Sequence, residues 1–308
     1  MRLLVVGAGS TGGYFGGRLA QAGRDVTFLV RPKRAAQLRQ DGLRIISPHG
    51  DLTLNPALVT AEDLAHPYDA VLLTVKAYQL EAALDDLAPA IGPDTMILPV
   101  LNGMRHMDIL SRRFNPRNVV GCALKVATVL ENDGSIVQLS PLQDLAYGEL
   151  DGSVTPRIRV LDAFMQGTGI DARLSTAIRR EMWEKWVLLA TVGAITCLMR
   201  GTIGEVEACT GGATLASHLL DEVAAIVRAV GESPSDAFMH VARTQITAAG
   251  SSLVSSMFRD LQRGRRVEVE EIIGDLVRHA ATAGIAIPLL SATYVHLLVY
   301  QHKLDGDS

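Results

Sequence analysis

The sequence has little cysteine, few aromatic residues and no large excess of charge of either sign. Its three cysteines, Cys122, Cys197 and Cys209, form no Cys-x-x-Cys pair and no metal-ligand spacing with histidine, which argues against a zinc motif and a disulfide framework. We therefore expect no bound metal and a reducing compartment, the cytoplasm. The formal net charge of −4 gives no electrostatic reason to expect nucleic acid or an anionic membrane as a partner.

Long apolar runs are also missing. The start, from Met1 to Val6, leads straight into glycine and is too short for the core of a signal peptide. The most apolar helical candidate, Trp186 to Met199, contains Gly193 and is too short to cross a bilayer. We expect the first segment to be a strand and the second to be a core helix, so no membrane association is predicted.

What is present is ample material for a globular core, with 48% hydrophobic and 20% charged residues in 308. Over the first third of the chain, short apolar runs alternate with helical periodicity, which is typical of a doubly wound parallel sheet. From Val119 to Gly148 we expect shorter strands that close the edge of that sheet, with turns at Asn132-Asp133-Gly134 and Ser140-Pro141. After Leu174 the pattern is almost wholly helical.

The predicted architecture is an α/β Rossmann-like N-terminal domain with a doubly wound, mainly parallel sheet over 1–173, followed by an all-helical C-terminal domain over 174–308. The predicted strands are 3–6, 25–30, 70–75 and 96–101. The predicted helices are 12–22, 34–40, 79–87, 157–167, 179–199, 213–230, 234–248, 265–283 and 289–302.

A glycine motif follows the first predicted strand and opens a helix: Gly7, Ala8, Gly9, Ser10, Thr11 and Gly12 form a G-x-G-x-x-G set. Gly7 permits a tight turn, Gly9 lets a pyrophosphate approach the backbone, and Gly12 lets the helix pack closely on the strand. The unpaired N–H groups at the start of that helix would face the phosphates. The motif in this context predicts a dinucleotide site.

The end of the second predicted strand selects between the two nicotinamide dinucleotides. An NAD site commonly carries a carboxylate there, whereas an NADP site needs a cation for the 2′-phosphate. This sequence has Arg31-Pro32-Lys33-Arg34. Arg31 could hold the phosphate bidentately, with Lys33 or Arg34 adding charge, so NADP(H) is favoured.

With these features the sequence resembles the ketopantoate reductase (2-dehydropantoate 2-reductase) family over nearly its whole length. The matching motifs are Val75-Lys76-Ala77, Leu101-Asn102-Gly103, Gly148-Glu149-Leu150, Trp183-Glu184-Lys185, Ser255-Ser256-Met257 and Arg266-Val267-Glu268.

The resemblance implies a division of roles in cofactor binding. Arg31 and Lys76 would bind the adenosine phosphate end. Asn102 and the backbone near Ala127 would lie closer to the nicotinamide, and Glu268 would contact cofactor or substrate. The fold that the resemblance implies places the substrate in a cleft between the two domains.

The resemblance also implies the reaction, which is reduction of a 2-keto acid to a 2-hydroxy acid by NADPH. The leading expectation is 2-dehydropantoate to (R)-pantoate, in pantothenate and coenzyme A biosynthesis. Lys185 would donate the proton, Ser256 would hold the substrate carboxylate, Asn102 would also contact the substrate, and Glu268 would tune the charge around Lys185. A lysine ammonium suits this chemistry, because hydride transfer leaves negative charge on the ketone oxygen.

The sequence departs from the family at three positions that carry substrate-binding asparagines in its best-known members, where it has Leu189, Gly193 and Ile203. These residues predict a more apolar and locally wider pocket beyond the lysine, although Thr191 and Thr196 could compensate in part. The sequence is therefore also compatible with a same-fold reductase acting on a different, less polar 2-keto acid.

Two further kinds of protein fit the same sequence. A β-hydroxyacid, imine or opine dehydrogenase shares the two-domain plan, and a noncatalytic NADP-binding regulator would keep the glycine motif. His106 and His240 have no spacing that pairs them with a carboxylate or cysteine, so we interpret both as structural. A homodimer is compatible with the apolar faces of the predicted helices.

Overall fold

A computed structural model describes residues 1–306 of the chain. It forms two compact units. The first comprises Met1–Leu101 and His106–Arg179, and the second comprises Asn102–Arg105 and the chain from Arg180 onward. The division at residues 173 and 174 stays a prediction about domains.

The strands, in chain order, are β1 (Arg2–Val6), β2 (Asp25–Leu29), β3 (Leu43–Ile46), β4 (Leu52–Leu54), β5 (Ala57–Val59), β6 (Ala70–Leu73), β7 (Met96–Pro99), β8 (Gly121–Leu130), β9 (Ile136–Gly148) and β10 (Asp171–Leu174). The helices are α1 (Ser10–Gln21), α2 (Pro32–Asp41), α3 (Leu80–Leu87), α4 (Arg105–Arg113), α5 (Pro156–Met165), α6 (Ile178–Met199), α7 (Ile203–Glu207), α8 (Gly212–Val230), α9 (Asp236–Ile246), α10 (Ser256–Gln262), α11 (Asp275–Ala283) and α12 (Pro288–Gly306), with a π-helix over Glu270–Gly274.

The first unit contains a five-stranded parallel sheet in the order β5-β2-β1-β6-β7. Its central strand β1 is apolar after Arg2 and fully buried at Leu3, Leu4 and Val5, because helices cover both faces of a parallel sheet. The chain leaves β1 toward β2 on one side and later returns to β6 on the other. The carboxyl ends of β1 and β6 therefore form a topological switch point, where such sheets bind ligands. The predicted Rossmann-like sheet is confirmed.

A second sheet overturns one expectation. It has the order β10-β9-β3-β4, with β8 antiparallel to β9, so β8 and β9 belong to this second sheet and do not close the edge of the first. Val119, just before β8, forms a single parallel bridge to Ile97 at that edge. The predicted turn at Asn132-Asp133-Gly134 joins β8 to β9. The predicted turn at Ser140-Pro141 is wrong, because both residues lie inside β9.

The physical reason is a bulge. Val126 pairs with Gln143 and Thr128 pairs with Gln138, so residues 139–142 bow out of the ladder opposite Ala127. Proline is tolerated at such a bulge because no ladder hydrogen bond is lost there. The polar dipeptide therefore interrupts the pairing without ending the strand.

The second unit is helical, as predicted, and its core is built around the fully buried Trp186 on α6. By length and composition alone α6 could cross a membrane, but 72% of its most apolar window is buried, which is the burial expected of a core helix. The helix predicted to begin at Arg265 begins later. Gln301 accepts a hydrogen bond from the Val267 N–H, and Tyr300 donates one to the Arg265 carbonyl, so side chains of α12 use backbone groups of this segment, which lies outside the helix.

An ion pair joins Glu149, the buried residue that follows β9, to Arg157 on α5. Glu149, whose side chain is 8% exposed, accepts two hydrogen bonds from the Arg157 guanidinium and one from the Thr155 hydroxyl. Thr155 in turn caps α5 by accepting from the Ile158 N–H. The hydrogen bonds from Arg157 hold the pKa of Glu149 below its ordinary value.

We expect Arg157→Met to lower the free energy of unfolding by about 3 kcal/mol, because it leaves the Glu149 carboxylate buried without its cation. The matched control is Arg113→Met, whose partner Asp85 is 70% exposed, and this change should cost less than about 1 kcal/mol. Chemical denaturation at neutral pH measures both losses. Equal losses would contradict this account.

The same pair makes a pH-dependent contribution. Because folding lowers the pKa of Glu149, the pair stabilises the protein above the unfolded carboxyl pKa, and this stabilisation is lost as the pH falls through the folded pKa. The difference in stability between Arg157→Met and the wild type should therefore shrink in acid.

Candidate functional site

The glycine loop joins β1 to α1 at the switch point. Gly7 has a φ of +96°, and its N–H donates to the Leu29 carbonyl over 3.0 Å. A Cβ on Gly12 would lie 2.1 Å from the Gly7 carbonyl oxygen and 2.2 Å from Thr74 Oγ1, so no larger residue fits there. A Cβ on Gly9 would meet no atom within 4 Å. The loop thus presents an open backbone edge beside a tightly packed helix start.

The start of α1 is suited to an anion. Within residues 1–306 no side chain caps this helix, whose N-cap residue is Gly9, and its first turn carries no acidic residue. The N–H groups of a first helical turn lack helical partners and carry the positive end of the helix dipole. Together with the cradle at Gly7, Gly9 and Gly12, this arrangement fits the pyrophosphate of a dinucleotide.

The three cations after β2 differ in their surroundings. Arg31 and Lys33 are exposed at the start of α2. Arg34 is half-buried, and its guanidinium donates to the carbonyls of Ala8 and Gly134 over 3.2 and 3.3 Å. Burial lowers the pKa of Arg34 from its ordinary value, which is so high that the group stays charged at neutral pH. Arg31 and Lys33 are therefore the better candidates for a 2′-phosphate.

Two other predicted cofactor residues lie in the first unit. Lys76 follows β6, the strand beside β1 in the sheet, and is half-buried. Ala127 lies in β8 at the register shift opposite the β9 bulge. At the bulge the Ala127 backbone leaves the regular ladder. Its N–H and carbonyl are then not committed to strand pairing and could form hydrogen bonds with a ligand.

Asn102 and Glu268 lie together in the second unit. Asn102 Nδ2 donates to Glu268 Oε2 over 3.4 Å, and Glu268 is 5% exposed. Gly103 has a φ of +77°, and a Cβ there would lie 2.4 Å from the Glu271 carbonyl oxygen. The Asn102-Gly103 turn is therefore packed directly on the backbone that follows Glu268.

The neighbouring acids have different partners. Tyr294 and Arg278 donate to the Glu270 carboxylate over 2.8 Å each; burial alone would raise the pKa of Glu270, but these hydrogen bonds hold it below its ordinary value. Burial raises the pKa of Glu271. The contact with Asn102 distinguishes Glu268 from these two neighbouring glutamates as the candidate to contact cofactor or substrate.

Lys185 is half-buried on α6, between two buried tryptophans in sequence. The ring of Trp183 packs on Gly231, where a Cβ would lie 2.5 Å from the indole. The Trp186 indole N–H donates to the Ile272 carbonyl over 3.0 Å and so joins α6 to the π-helix after Glu268. The sequence reasoning missed this π-helix, and Gly274 within an otherwise helical pattern was its weak signal.

Hydrogen bonding distinguishes the two adjacent serines, Ser255 and Ser256. Ser255 is buried, caps α10 by accepting from the Phe258 N–H over 2.9 Å, and lies 3.0 Å from the Thr196 hydroxyl. A serine three residues before a buried aromatic residue is a capping signal that the sequence reasoning could have used. Ser256, the first residue of α10, is half-buried and remains the candidate ligand.

Two of the three residues that stand where the family has asparagines, Gly193 and Ile203, lie in well-packed surroundings. Ile203 is fully buried, and a Cβ on Gly193 would lie 2.9 Å from the Met257 methyl group. The expected widening at Gly193 is therefore taken up by Met257. Thr191 and Thr196 are fully buried and donate their hydroxyl protons to carbonyls four residues earlier in α6. Their compensation for the missing amides stays a prediction.

No group of three or more histidine, cysteine, aspartate or glutamate residues that could hold a metal ion occurs among residues 1–306. His106, on α4, is 4% exposed, whereas His240 is exposed on α9. Neither histidine belongs to the residues gathered above.

A doubly wound parallel sheet with a glycine loop at its switch point, followed by a helical unit, defines a nucleotide-binding protein of the NAD(P)-dependent dehydrogenase class. The family model described as ketopantoate reductase PanE/ApbA matches residues 3–152, and the model for the C-terminal part of that family matches residues 177–301. The chain belongs to the ketopantoate reductase family and is an oxidoreductase.

Two curated relatives illustrate the range of the family. The chain is 34% identical to an uncharacterized oxidoreductase, YkpB, of Bacillus subtilis over 98% of this chain and 99% of that protein. It is 28% identical to a 2-dehydropantoate 2-reductase of Halobacterium salinarum over 94% and 95% of the two chains.

Solved structures share the fold. A PanE/ApbA family ketopantoate reductase from Ralstonia eutropha gives a TM-score of 0.88 at 24% identity, covering 99% of this chain and 100% of that one. D-mandelate dehydrogenase with NADH and anilino(oxo)acetate gives a TM-score of 0.88 at 21% identity, with the same coverage.

We expect Gly103→Ala to destabilise the second unit by about 2 kcal/mol, because it combines a strained positive φ with a backbone clash against Glu271. The control is Gly284→Ala, where φ is also positive at +68° but a Cβ meets nothing within 4 Å. Thermal unfolding of both variants separates the clash from the strain. An equal loss at both positions would show that the contact with Glu271 contributes nothing.

Proposed function

We propose that this protein reduces the ketone of a small 2-keto acid in the cytoplasm, with NADPH as the hydride donor and Lys185 as the proton donor. The observation that carries the proposal is the composition of the second unit, which holds a half-buried lysine on α6 and an Asn102–Glu268 pair. Family membership supplies the reaction class.

The preference for NADPH rests on charge after β2. Arg31 and Lys33 are exposed there, and no carboxylate occurs from Val30 to Arg34 that could hold a ribose hydroxyl or repel a phosphate. A guanidinium binds a phosphate through two parallel hydrogen bonds to two phosphate oxygens. A ribose hydroxyl has a single oxygen and cannot accept such a pair. Lys76, at the same edge of the sheet, would add positive charge toward the adenosine end.

The bound dinucleotide would supply the hydride, and the remaining work belongs to side chains of this protein. Ser256 would bind the substrate carboxylate, and the Asn102 amide would orient the ketone. The Lys185 ammonium would stabilise the developing alkoxide and transfer a proton from Nζ to its oxygen. Glu268, which accepts from Asn102, would hold that amide in place and add negative charge close to the reacting groups.

The leading candidate substrate is 2-dehydropantoate, giving (R)-pantoate, because the named family and several of its members carry this activity. A less polar 2-keto acid is the second candidate. Leu189 and Ile203 are apolar, Met257 occupies the space beside Gly193, and D-mandelate dehydrogenase has the same fold. A substrate hydroxyl left unpaired in such surroundings would cost about 1–3 kcal/mol.

We expect Lys185→Met to lower kcat about 10²–10⁴-fold, because it removes the proton donor and the positive charge facing the alkoxide. The matched control is Lys303→Met, which removes an exposed lysine from α12 and should leave kcat unchanged. Steady-state loss of NADPH absorbance measures both. Wild-type rates in Lys185→Met would refute the assigned role.

A substrate panel tests the reaction and separates the two candidates. We expect 2-dehydropantoate to exceed branched and aromatic 2-keto acids in kcat/KM by about 100-fold, equivalent to roughly 2.7 kcal/mol of transition-state binding. The reverse order would establish the second candidate. Tight NADPH binding without turnover of any 2-keto acid would instead favour a noncatalytic NADP-binding protein.

A further inference from the structure

Arg34 lies between the glycine loop and the turn that joins β8 to β9. Its Nε–H donates to the Ala8 carbonyl, one terminal nitrogen donates to Gln37 Oε1 over 2.7 Å, and the other donates to the Gly134 carbonyl. The carbonyls of Ala8 and Gly134 both belong to the first unit but come from distant parts of the sequence. A planar guanidinium can make such divergent contacts simultaneously, whereas a lysine ammonium cannot span them.

The turn is shaped to receive this side chain. Gly134 has a φ of +81°, and a Cβ there would lie 2.1 Å from Gln37 Nε2 and 2.9 Å from an Arg34 nitrogen. The preceding carbonyl, that of Asp133, accepts from Arg44 over 2.8 Å and from Gln37 over 3.4 Å. Three side chains from the α2 and β3 region thus hold the turn against the loop.

The other end of the connection fixes a peptide of the glycine loop. The Ala8 carbonyl and the Gly9 N–H belong to one planar trans peptide, so a hydrogen bond to the carbonyl sets the direction of the N–H on the opposite side. A donor on a carbonyl also polarises the N–H of the same peptide and strengthens it as a donor. Gly9 is the loop residue whose Cβ position faces open space.

We propose that Arg34 is a positioning residue for dinucleotide binding, which braces the Ala8–Gly9 peptide against the β8–β9 turn so that the loop N–H groups are preset for the pyrophosphate. The inference rests on the proposed use of NADPH at the glycine loop. It separates Arg34 from Arg31, to which we assign the 2′-phosphate.

The two roles have different consequences for binding. The pyrophosphate is common to NADPH and NADH, so a residue that orients the loop affects both dinucleotides equally. The 2′-phosphate belongs to NADPH alone, so a residue that binds it changes the ratio of the two affinities. This ratio distinguishes a brace from a ligand, whatever the substrate is.

Isothermal titration of the full chain with NADPH and with NADH tests the proposal. We expect Arg34→Gln to weaken both about 10-fold or more and to leave their Kd ratio within about twofold of the wild type. Arg31→Gln should lower the preference for NADPH at least about 10-fold. Arg39→Gln, which removes an exposed arginine from the same helix, is the control and should change neither affinity. A Kd ratio that falls in Arg34→Gln as it does in Arg31→Gln would overturn the proposal.

A second variant disrupts the contact between Arg34 and the β8–β9 turn without changing Arg34 itself. Gly134→Ala keeps every charge and leaves the glycine loop untouched, yet it displaces Arg34 and Gln37. We expect it to weaken both dinucleotides equally, and to add little further loss to Arg34→Gln in the double variant.

Hydrogen exchange of the unliganded protein gives a readout without cofactor. Amides of residues 8–12 should exchange at least about 10-fold faster in Arg34→Gln than in wild type, with α5 unchanged. Wild-type binding and exchange in both variants would overturn the inference alone. A wild-type protein that bound neither dinucleotide would overturn the proposed function as well.

Discussion

The cofactor half of the molecule depends on one close contact, in which the start of α1 touches the end of β1 with no side chain between them. Gly12 lies so near the Gly7 carbonyl and Thr74 that a methyl group would overlap both. Thr74 also donates from its hydroxyl to the Val6 carbonyl over 2.7 Å, which ties the ends of β1 and β6 together. The helix start, the switch point and the open edge of the loop are all fixed by this contact.

The second unit uses the same device for a different purpose. Gly103 lies so near the Glu271 carbonyl that a Cβ would overlap it, while the Trp186 indole on α6 donates to the neighbouring Ile272 carbonyl. Asn102, Glu268 and the helix that carries Lys185 are therefore connected through main-chain atoms. Such connections hold polar side chains more firmly than contacts between flexible side chains do.

The sequence predicted what is encoded locally. The strand, glycine loop and helix over residues 3–22 follow from adjacent residues, and so does the cationic segment from Arg31 to Arg34. The second sheet could not be predicted in the same way, because β3, β4 and β10 have only three or four residues each. The bulge at 139–142 imitates a turn, and only its pairing with β8 reveals a continuous strand.

At the candidate site, too, the local sequence predicted which residues are present but not which of them already have hydrogen-bond partners. The motif predicted cations beside the dinucleotide, but the carbonyl that occupies Arg34 comes from Gly134, far along the chain. Likewise the neighbours of Glu268 are alike in sequence, and it is the contact with Asn102 that separates them. Hydrogen bonds between distant segments leave no local pattern, so which of several similar residues is already engaged could not be predicted from the sequence.

The π-helix at Glu270–Gly274 has a consequence for how this chain could change in evolution. A π turn holds one more residue than an α turn, so it is in effect a tolerated insertion. Loss of a single residue from it would restore a regular helix and rotate everything upstream by about 100° around the axis. Glu268 would then turn away from Asn102 while the rest of α11 kept its packing. The length of this segment therefore helps to set where that carboxylate points.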